Sequence, residues 1–453
     1  MKNIQHIYFL GIGGIGMSAL ARYFNNREVK VFGYDRTESE LTSEMKTEGI
    51  EITYIDEINS LPEEIDLVIW TPAIPKTNKI FAFFEAKKIK MMKRSEMLGQ
   101  LTRDFKNIAV AGTHGKTSTS ILLSHLLAHS QLKFTAFLGG ISVNYHTNFL
   151  DLGNDFMVEE ADEYDRSFLQ LIPSIAVIGS LDADHLDIYG SREKMVENYM
   201  EFASKISDEG LLLMSNKISK TEISDFANNI SASCKLLTYG SNSADVSYQI
   251  YGVENGWVRF MYRDDKNRIL DELTIRFPGE HNIQNTTAAI RIALELGLEE
   301  HKIREGLLSF KGIRRRFEWL YEGKQILIDD YAHHPEELRE AIKATKACYL
   351  SRRICGIFQP HLYSRTKDFA QEFAEVLDEL DEVILVELYP ARESPILGIN
   401  SNTILDKMKN PNRMFCAQSE LIAELKNRSL DVVLLLGAGD LSNMQSQIIK
   451  ILS

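Results

Sequence analysis

Short apolar runs that end in a glycine-rich or acidic turn, then give way to helical periodicity, recur along the whole chain and constrain its fold more than any other feature. His6–Leu10, Val29–Gly33 and Leu67–Trp70 read as buried strands, with helical patterns at Met17–Asn25 and Ile80–Lys87 between them. A second series opens with Asn107–Ala111 and a helix over Lys116–Ser130, then continues through Phe156–Glu159, Ile175–Ser180 and Leu211–Ser215. A third runs through Ile326–Asp329, Ile354–Phe358, Glu382–Val386 and Val432–Leu436. Strand and helix in strict alternation predict α/β domains built on mostly parallel sheets with crossover helices. Between Lys235 and Phe277 the period drops to two, broken by Asn255-Gly256 and Asp264-Asp265-Lys266, which predicts a small antiparallel section with hairpins. Helical patterns return at Asn282–Leu296 and Glu300–Ser309. The 453 residues suit about three domains, with boundaries placed at 1–105, 106–318 and 319–453.

Charge narrows the partners. With 64 acidic against 51 basic residues the net charge is −13, which argues against a main role in gripping nucleic acid or an anionic membrane. Anionic ligands would need local cations or metals to overcome that sign. Cys234, Cys348, Cys355 and Cys416 form no C-x-x-C pair and read as free thiols of a reducing compartment. No run approaches the roughly 18 apolar residues of a membrane span, and the glycines of Ile7–Ala21 suit a turn better than a secretory segment. The expectation is a cytoplasmic protein.

Five groups of residues carry chemistry. Gly11-Ile12-Gly13-Gly14-Ile15-Gly16 follows the first strand and opens a helix, so its backbone N–H groups would meet a pyrophosphate. Asp35, at the end of the next strand, is placed to hold a ribose hydroxyl. Any diphosphate-linked nucleoside satisfies this pattern, and a glycine turn used only for packing is its bland alternative. Gly112-Thr113-His114-Gly115-Lys116-Thr117-Ser118 again joins strand to helix. There the loop amides would cradle phosphate, Lys116 would neutralise its charge and Thr117 would ligate Mg²⁺. Val110 stands where the longer phosphate-loop pattern has its first glycine, so the loop is a shortened variant.

Glu159 to Asp165 and Asp182 to Asp187 are acidic stretches at strand ends, read either as solvated loops or, with His185, as a Mg²⁺ site beside the phosphate loop. Glu280-His281-Asn282 and Asn285 either start a helix or contact a ligand, and Arg314-Arg315-Arg316 either lie on the surface or meet phosphate. Asp329 to Pro335 and Phe358 to Thr366 end strands; caps and turns alone account for the Asp and Pro of the first run but not for its paired histidines, and in the second Arg365 could bind a carboxylate bidentately. Ser364 reads as a helix cap. Two other readings remain open: a nicotinamide-dependent oxidoreductase fused to a regulatory P-loop domain, suggested by the N-terminal glycines alone, and a non-enzymatic nucleotide-dependent scaffold.

Taken together, GIGGIGMS, AGTHGKTST, EADE, DADHLDIYG, FPGEHNIQN, RRRFE, DDYAHHP, FQPHLYSRT and GAGD resemble the Mur ligases, ATP-dependent amide-bond-forming enzymes of bacterial cell-wall precursor synthesis. The likeness covers essentially the full length, in family order, and is strongest to the branch that joins L-alanine to UDP-N-acetylmuramate. It implies a Rossmann-like N-terminal domain for the UDP substrate, a central P-loop ATPase-like α/β domain, and a C-terminal Rossmann-like domain that brings the amino acid and closes over the site.

The resemblance also implies site residues. The UDP substrate would lie against Gly11, Gly13, Gly14, Ile15, Gly16, Asp35, Thr71 and Ala73. ATP would meet Gly112 to Ser118, Asn285 as an adenine contact, Arg316 and Asp330, with Lys116 as the phosphate-loop lysine. Thr117, Glu160 and His185 would hold Mg²⁺, and His333, His361 and Arg365 would face the amino acid. ATP and Mg²⁺ are the implied cofactors, the partners are small molecules, and a homodimer is compatible with the reading. Leu362 replaces an arginine common in the L-alanine branch, and Tyr164 a common serine.

Overall fold

The computed structural model describes residues 4–183, 186–391 and 393–453. Among them the strands form three sheets. The first holds β1 (His6–Leu10), β2 (Lys30–Tyr34), β3 (Glu51–Thr53), β4 (Leu67–Trp70) and β5 (Met91–Lys93) in the order β3-β2-β1-β4-β5. All of its pairings are parallel. After His6, β1 is apolar at every position, because both faces of a parallel sheet are covered. Ile7 and Phe9 pack toward Leu20 and Phe24, while Tyr8 and Leu10 pack toward Phe81 and Phe84.

The second sheet carries β6 (Lys106–Ala111), β7 (Phe134–Ser142), β8 (Thr147–Asp151), β9 (Phe156–Glu160), β10 (Ile175–Ile178), β11 (Leu211–Ser215), β12 (Lys235–Ser241), β13 (Val246–Glu254), β14 (Trp257–Arg263) and β15 (Ile269–Ile275). Their order is β15-β14-β13-β12-β11-β10-β6-β9-β7-β8. β13 and β14 are joined by Asn255-Gly256, both at positive φ (49° and 81°), the geometry that turns a two-residue hairpin. The expected antiparallel section needs one correction: β12 meets β13 in parallel, Tyr239 opposite Val246. The chain leaves β12, steps sideways over four residues and continues in the same direction. β7 and β8 form an antiparallel pair that the alternation did not reveal.

The third sheet holds β16 (Glu318–Glu322), β17 (Ile326–Asp330), β18 (Ile354–Phe358), β19 (Glu382–Leu385), β20 (Arg413–Phe415) and β21 (Val432–Leu436), ordered β16-β17-β21-β18-β19-β20. Only β16 is antiparallel to its neighbour.

In the first two sheets the opening strand sits where the strand order reverses. β1 has β2 on one side and β4 on the other, and β6 lies between β9 and β10. The carboxyl end of such a strand opens a crevice, and each of the two glycine-rich segments begins there.

Packing divides the chain into two compact units. One comprises 1–249, 261–271 and 284–309; the other comprises 250–260, 272–283 and 310–453. Within the first, the helix Ile15–Asn25 is buried along Met17–Phe24 because it is covered from two sides. One side lies on the first sheet. On the other, the Tyr23 ring stands 5.5 Å from Phe137 of β7 and 6.2 Å from Phe149 of β8. The first two sheets therefore share one apolar core, running from Ile7 and Phe9 to Met157 and Tyr199. Among the described residues, no helix is long and apolar enough to cross a membrane.

Candidate active site

The loop after β6 has the shape of a phosphate cradle. Gly112 (φ 127°) and Gly115 (φ 81°) take backbone conformations that a side chain resists, and the helix Lys116–Ala128 starts directly after them. A Cβ on Gly112 would stand 2.9 Å from the backbone nitrogens of Gly179 and Ser180, so the loop lies tight against the turn after β10. Ser180 secures it: its Oγ is 2.8 Å from Thr113 Oγ1 and accepts from His114 N–H at 2.9 Å. Thr117 and Ser118 are buried in the first helical turn. Asn285 projects from the helix Glu280–Glu295 onto the same loop, and a Cβ on Gly115 would meet its Oδ1 at 2.8 Å. Its amide thus lies against the glycine loop at the start of the helix Lys116–Ala128.

The acidic segment after β9 faces cations on both flanks. Lys116 Nζ donates to both Glu163 carboxylate oxygens at 2.8 Å and to the Gly112 carbonyl at 2.6 Å. Glu163 is 1% exposed. Asp162 accepts from Arg94 at 2.9 Å and Asp165 from Lys93 at 2.7 Å. The solvated-loop reading of this stretch fails, since its carboxylates are engaged with specific partners. Glu160 Oε2 accepts from Thr117 Oγ1 at 3.1 Å, and Oε1 accepts from Gly139 N–H at 2.6 Å and Ser120 Oγ at 3.1 Å. Thr117 and Glu160 thereby come together as the sequence expects, while His185 lies outside the described residues.

Glu159, one residue earlier, points the other way into the core. Burial pushes its carboxyl up to about 8, against a hydrogen bond from Asn107 Nδ2 at 2.7 Å and the charge of Arg94.

At the N-terminal glycine loop, Gly11 N–H and Ile12 N–H donate to the Tyr34 carbonyl at 2.8 and 3.1 Å, which folds the loop back over β2. Asp35 Oδ2 accepts from Gly13 N–H at 2.8 Å, so this carboxylate braces the loop itself. Gly14 and Ile15 are exposed at the helix start, and Ala73 is exposed after β4. Thr71 packs on Gly11, where a Cβ would meet its Cγ2 at 2.7 Å. Arg94 was not foreseen. A Cβ on Gly16 would fall 2.5 Å from its guanidinium, so a cation stands beside the loop. Its only sequence signal was the Lys93-Arg94 pair at a strand end.

In the second unit, the ends of β17, β18 and β21 gather the remaining motifs. Asp330 accepts from Phe317 N–H at 2.7 Å and Ala332 N–H at 2.8 Å. Burial lifts its carboxyl to about 6 against these two bonds. Arg315 is structural: it donates to the Gly437 and Gly439 carbonyls at 2.5 and 3.3 Å and lies 3.3 Å from buried Asp329. Arg316 follows at the bridge to Ile313. The His333 and His361 rings stand 5.8 Å apart, and His361 Nδ1 is 3.3 Å from the Arg365 guanidinium. Burial, then the neighbouring His333 and Arg365, push His361 down to about 4, and burial lowers His333 as well. Both imidazoles are therefore neutral at pH 7.

Ser364 is not the helix cap that its position suggested. Leu362, at φ 71°, holds the cap position, and the Ser364 hydroxyl and N–H both donate to Glu393. Glu393 and Tyr389, whose ring stacks 5.8 Å over His361, were missed because they lie on a loop nearly thirty residues further on. Gln359 was found without its partners. It bonds Asp440 at 2.8 Å and Leu441 N–H at 3.0 Å, tying β18 to the GAGD turn.

Comparison with known proteins matches three family models along the chain. They are the Mur ligase family catalytic domain over residues 6–106, the Mur ligase middle domain over 110–293, and the Mur ligase glutamate ligase domain over 315–439. A UDP-N-acetylmuramate–L-alanine ligase of Flavobacterium johnsoniae is 43% identical, covering 100% of this chain and 99% of its own. Its counterpart in Christiangramia forsetii is 41% identical, covering 100% and 98%. Among solved structures, the UDP-N-acetylmuramate–alanine ligase MurC of Thermotoga maritima superposes with a TM-score of 0.83 at 28% identity, over 98% of each chain. A murein peptide ligase of Psychrobacter arcticus shares the fold at TM-score 0.70 and 20% identity. The order of motifs, the two strand-end loops and this full-length likeness agree: the chain belongs to the Mur ligase family.

Proposed function

We infer that the protein joins L-alanine to the carboxylate of UDP-N-acetylmuramate, using ATP and releasing ADP and phosphate, in the synthesis of peptidoglycan precursors. The observation that carries this reading is the full-length likeness to L-alanine ligases. The gathering of Lys116, Thr117, Glu160 and Glu163 around one strand-end loop supports it. The domain roles follow as part of the proposal: 1–105 for the UDP substrate, 106–318 for ATP and 319–453 for the amino acid.

The donors present fit Mg²⁺. Thr117 Oγ1 and the Glu160 carboxylate are hard oxygens 3.1 Å apart beside a phosphate cradle, with His185 as a further ligand by resemblance. Mg²⁺ bound there would neutralise charge on the phosphates. A carboxylate does not condense with an amine at neutral pH, because its oxygen is a poor leaving group. The muramoyl carboxylate oxygen attacks the γ-phosphorus, the bond to the bridging oxygen breaks, and ADP departs with the electron pair. Lys116 and the loop amides hold the charge that spreads over the transferring group. The neutral amine of L-alanine then attacks the acyl carbon, the C–O bond breaks with its electron pair on the departing phosphate, and the proton shed by the nitrogen passes to that phosphate or to water. Arg365 suits the alanine carboxylate, and the neutral imidazoles of His333 and His361 add no charge that would repel the amine.

The test is phosphate release with ATP, Mg²⁺ and UDP-N-acetylmuramate, adding L-alanine, glycine, L-serine or the recycled cell-wall tripeptide in turn. Release that needs both sugar nucleotide and L-alanine is expected. Release with the tripeptide alone would move the enzyme to the recycling branch, and none with any amine would refute the ligase reading.

A further inference from the structure

The ammonium of Lys116 spends its donors on the protein: 2.8 Å to each oxygen of Glu163 and 2.6 Å to the Gly112 carbonyl. We propose that Glu163 is the resident counter-anion of Lys116, a positioning residue that fixes where the ammonium stands in the loop and with which nucleotide phosphate must compete. The inference rests on reading residues 112–118 as a nucleotide loop.

Glu163 cannot easily retreat. Its carboxylate is 1% exposed, so Lys116 rather than water balances the charge. Its main chain is held by the Tyr189 hydroxyl, which donates to the Glu163 carbonyl at 2.5 Å. The neighbouring carboxylates of Asp162 and Asp165 are fastened to Arg94 and Lys93. Beyond them Asp165 and Arg166 stand at φ 52° and 57°, two consecutive non-glycine residues in the left-handed region, a conformation maintained only by surrounding contacts. The segment is a fixed mount that presents one negative charge to the phosphate-loop lysine.

That charge has two opposed effects. It weakens the attraction of the loop for an incoming polyanion, since a carboxylate beside the ammonium cancels much of its field. It also keeps Nζ from wandering, so the ammonium is in place when charge develops on the transferring phosphoryl group. Removing the charge while keeping the shape should separate them.

The experiment compares wild type with Glu163→Gln in the full chain, using Mg²⁺ and a non-hydrolysable ATP analogue for affinity and phosphate release for rate. The Gln variant should bind the analogue about threefold more tightly or better and turn over about tenfold more slowly or worse, so that KM and kcat fall together. A purely structural residue would weaken binding instead. Unchanged or weaker affinity in the Gln variant therefore overturns the proposal. Should that variant fail to fold, Glu163→Asp carries the test, because the shortened side chain stretches the pair: tighter analogue binding is expected, and equal or weaker binding overturns the inference. Failure of wild type to bind the analogue at all would refute the nucleotide-loop reading, a result distinct from either.

Discussion

Glu159 shows how a neighbouring pair of carboxylates can be given opposite tasks by the alternation of a strand. Glu160 points into the candidate metal site, and Glu159 points into the core with its Oε2 and the Oδ1 of Asn107 both lacking partners. A carboxyl raised to about 8 carries a proton at pH 7, so the buried group is neutral and is a donor as well as an acceptor. The pH dependence follows. The folded chain keeps the proton that the unfolded chain loses near the ordinary value of 4.5, so this contribution is complete below 4.5 and disappears as pH rises through 8. Urea unfolding at pH 6 and 8.5 should show wild type losing on the order of 3 kcal/mol relative to Glu159→Gln, which has no proton to lose. Parallel pH profiles for the two proteins would refute the neutral acid. Gly139→Ala makes a second prediction at this scale. The new Cβ would fall 2.2 to 2.5 Å from the Glu160 carboxyl and displace it. The Mg²⁺ concentration for half-maximal turnover should rise about tenfold or more; an unchanged Mg²⁺ titration would take Glu160 out of the metal site.

The central strands were legible in the sequence because burial on both faces makes them continuous apolar runs: β1, β4, β11, β18 and β21 begin and end where the pattern placed them. Strands of three residues, β3, β5 and β20, lie at sheet edges and are too short to show a period. β7 was hidden by Gly139-Gly140 near its end, which reads as a break. The helix Ile15–Asn25 holds a different lesson: its pattern was found, but not that both of its sides are covered. Tyr23 is the clearest consequence, a ring set among Phe24, Phe137 and Phe149 with Arg27 3.7 Å above it. Tyr23→Ala should cost about 3 kcal/mol or more and lower the calorimetric midpoint of the first unit by several degrees. A midpoint within a degree of wild type would mean that this contact closes over the gap.

Across the whole molecule, the sequence offered candidate residues at each loop but not the long-range contacts that hold them in place. Arg94 and Glu393 were not singled out at all, and Glu163 and Gln359 were found without their partners, which stand far along the chain: no local pattern announces an ion pair between residues 47 or 68 positions apart. The proposed division of labour predicts that Lys116→Ala abolishes ATP turnover while UDP-N-acetylmuramate binding by calorimetry stays within about twofold of wild type. Equal loss of both would refute it. The net charge of −13 adds a prediction of its own. Both proposed nucleotide substrates are anions, so moderate salt should screen the global repulsion and raise kcat/KM modestly. A steep fall with salt would show that local cations dominate the approach.

The chain passes between its two compact units five times, at 249/250, 260/261, 271/272, 283/284 and 309/310. Genetic exchange with a relative therefore has no clean seam: a crossover anywhere from 250 to 309 gives at least one unit segments from two parents, and a crossover at 310 still leaves the second unit with a borrowed 250–260 and 272–283. With the amino-acid site proposed above on the loops after β18 and β19, a new amine preference in such a lineage would come through point changes there rather than by inheriting another enzyme's C-terminal half.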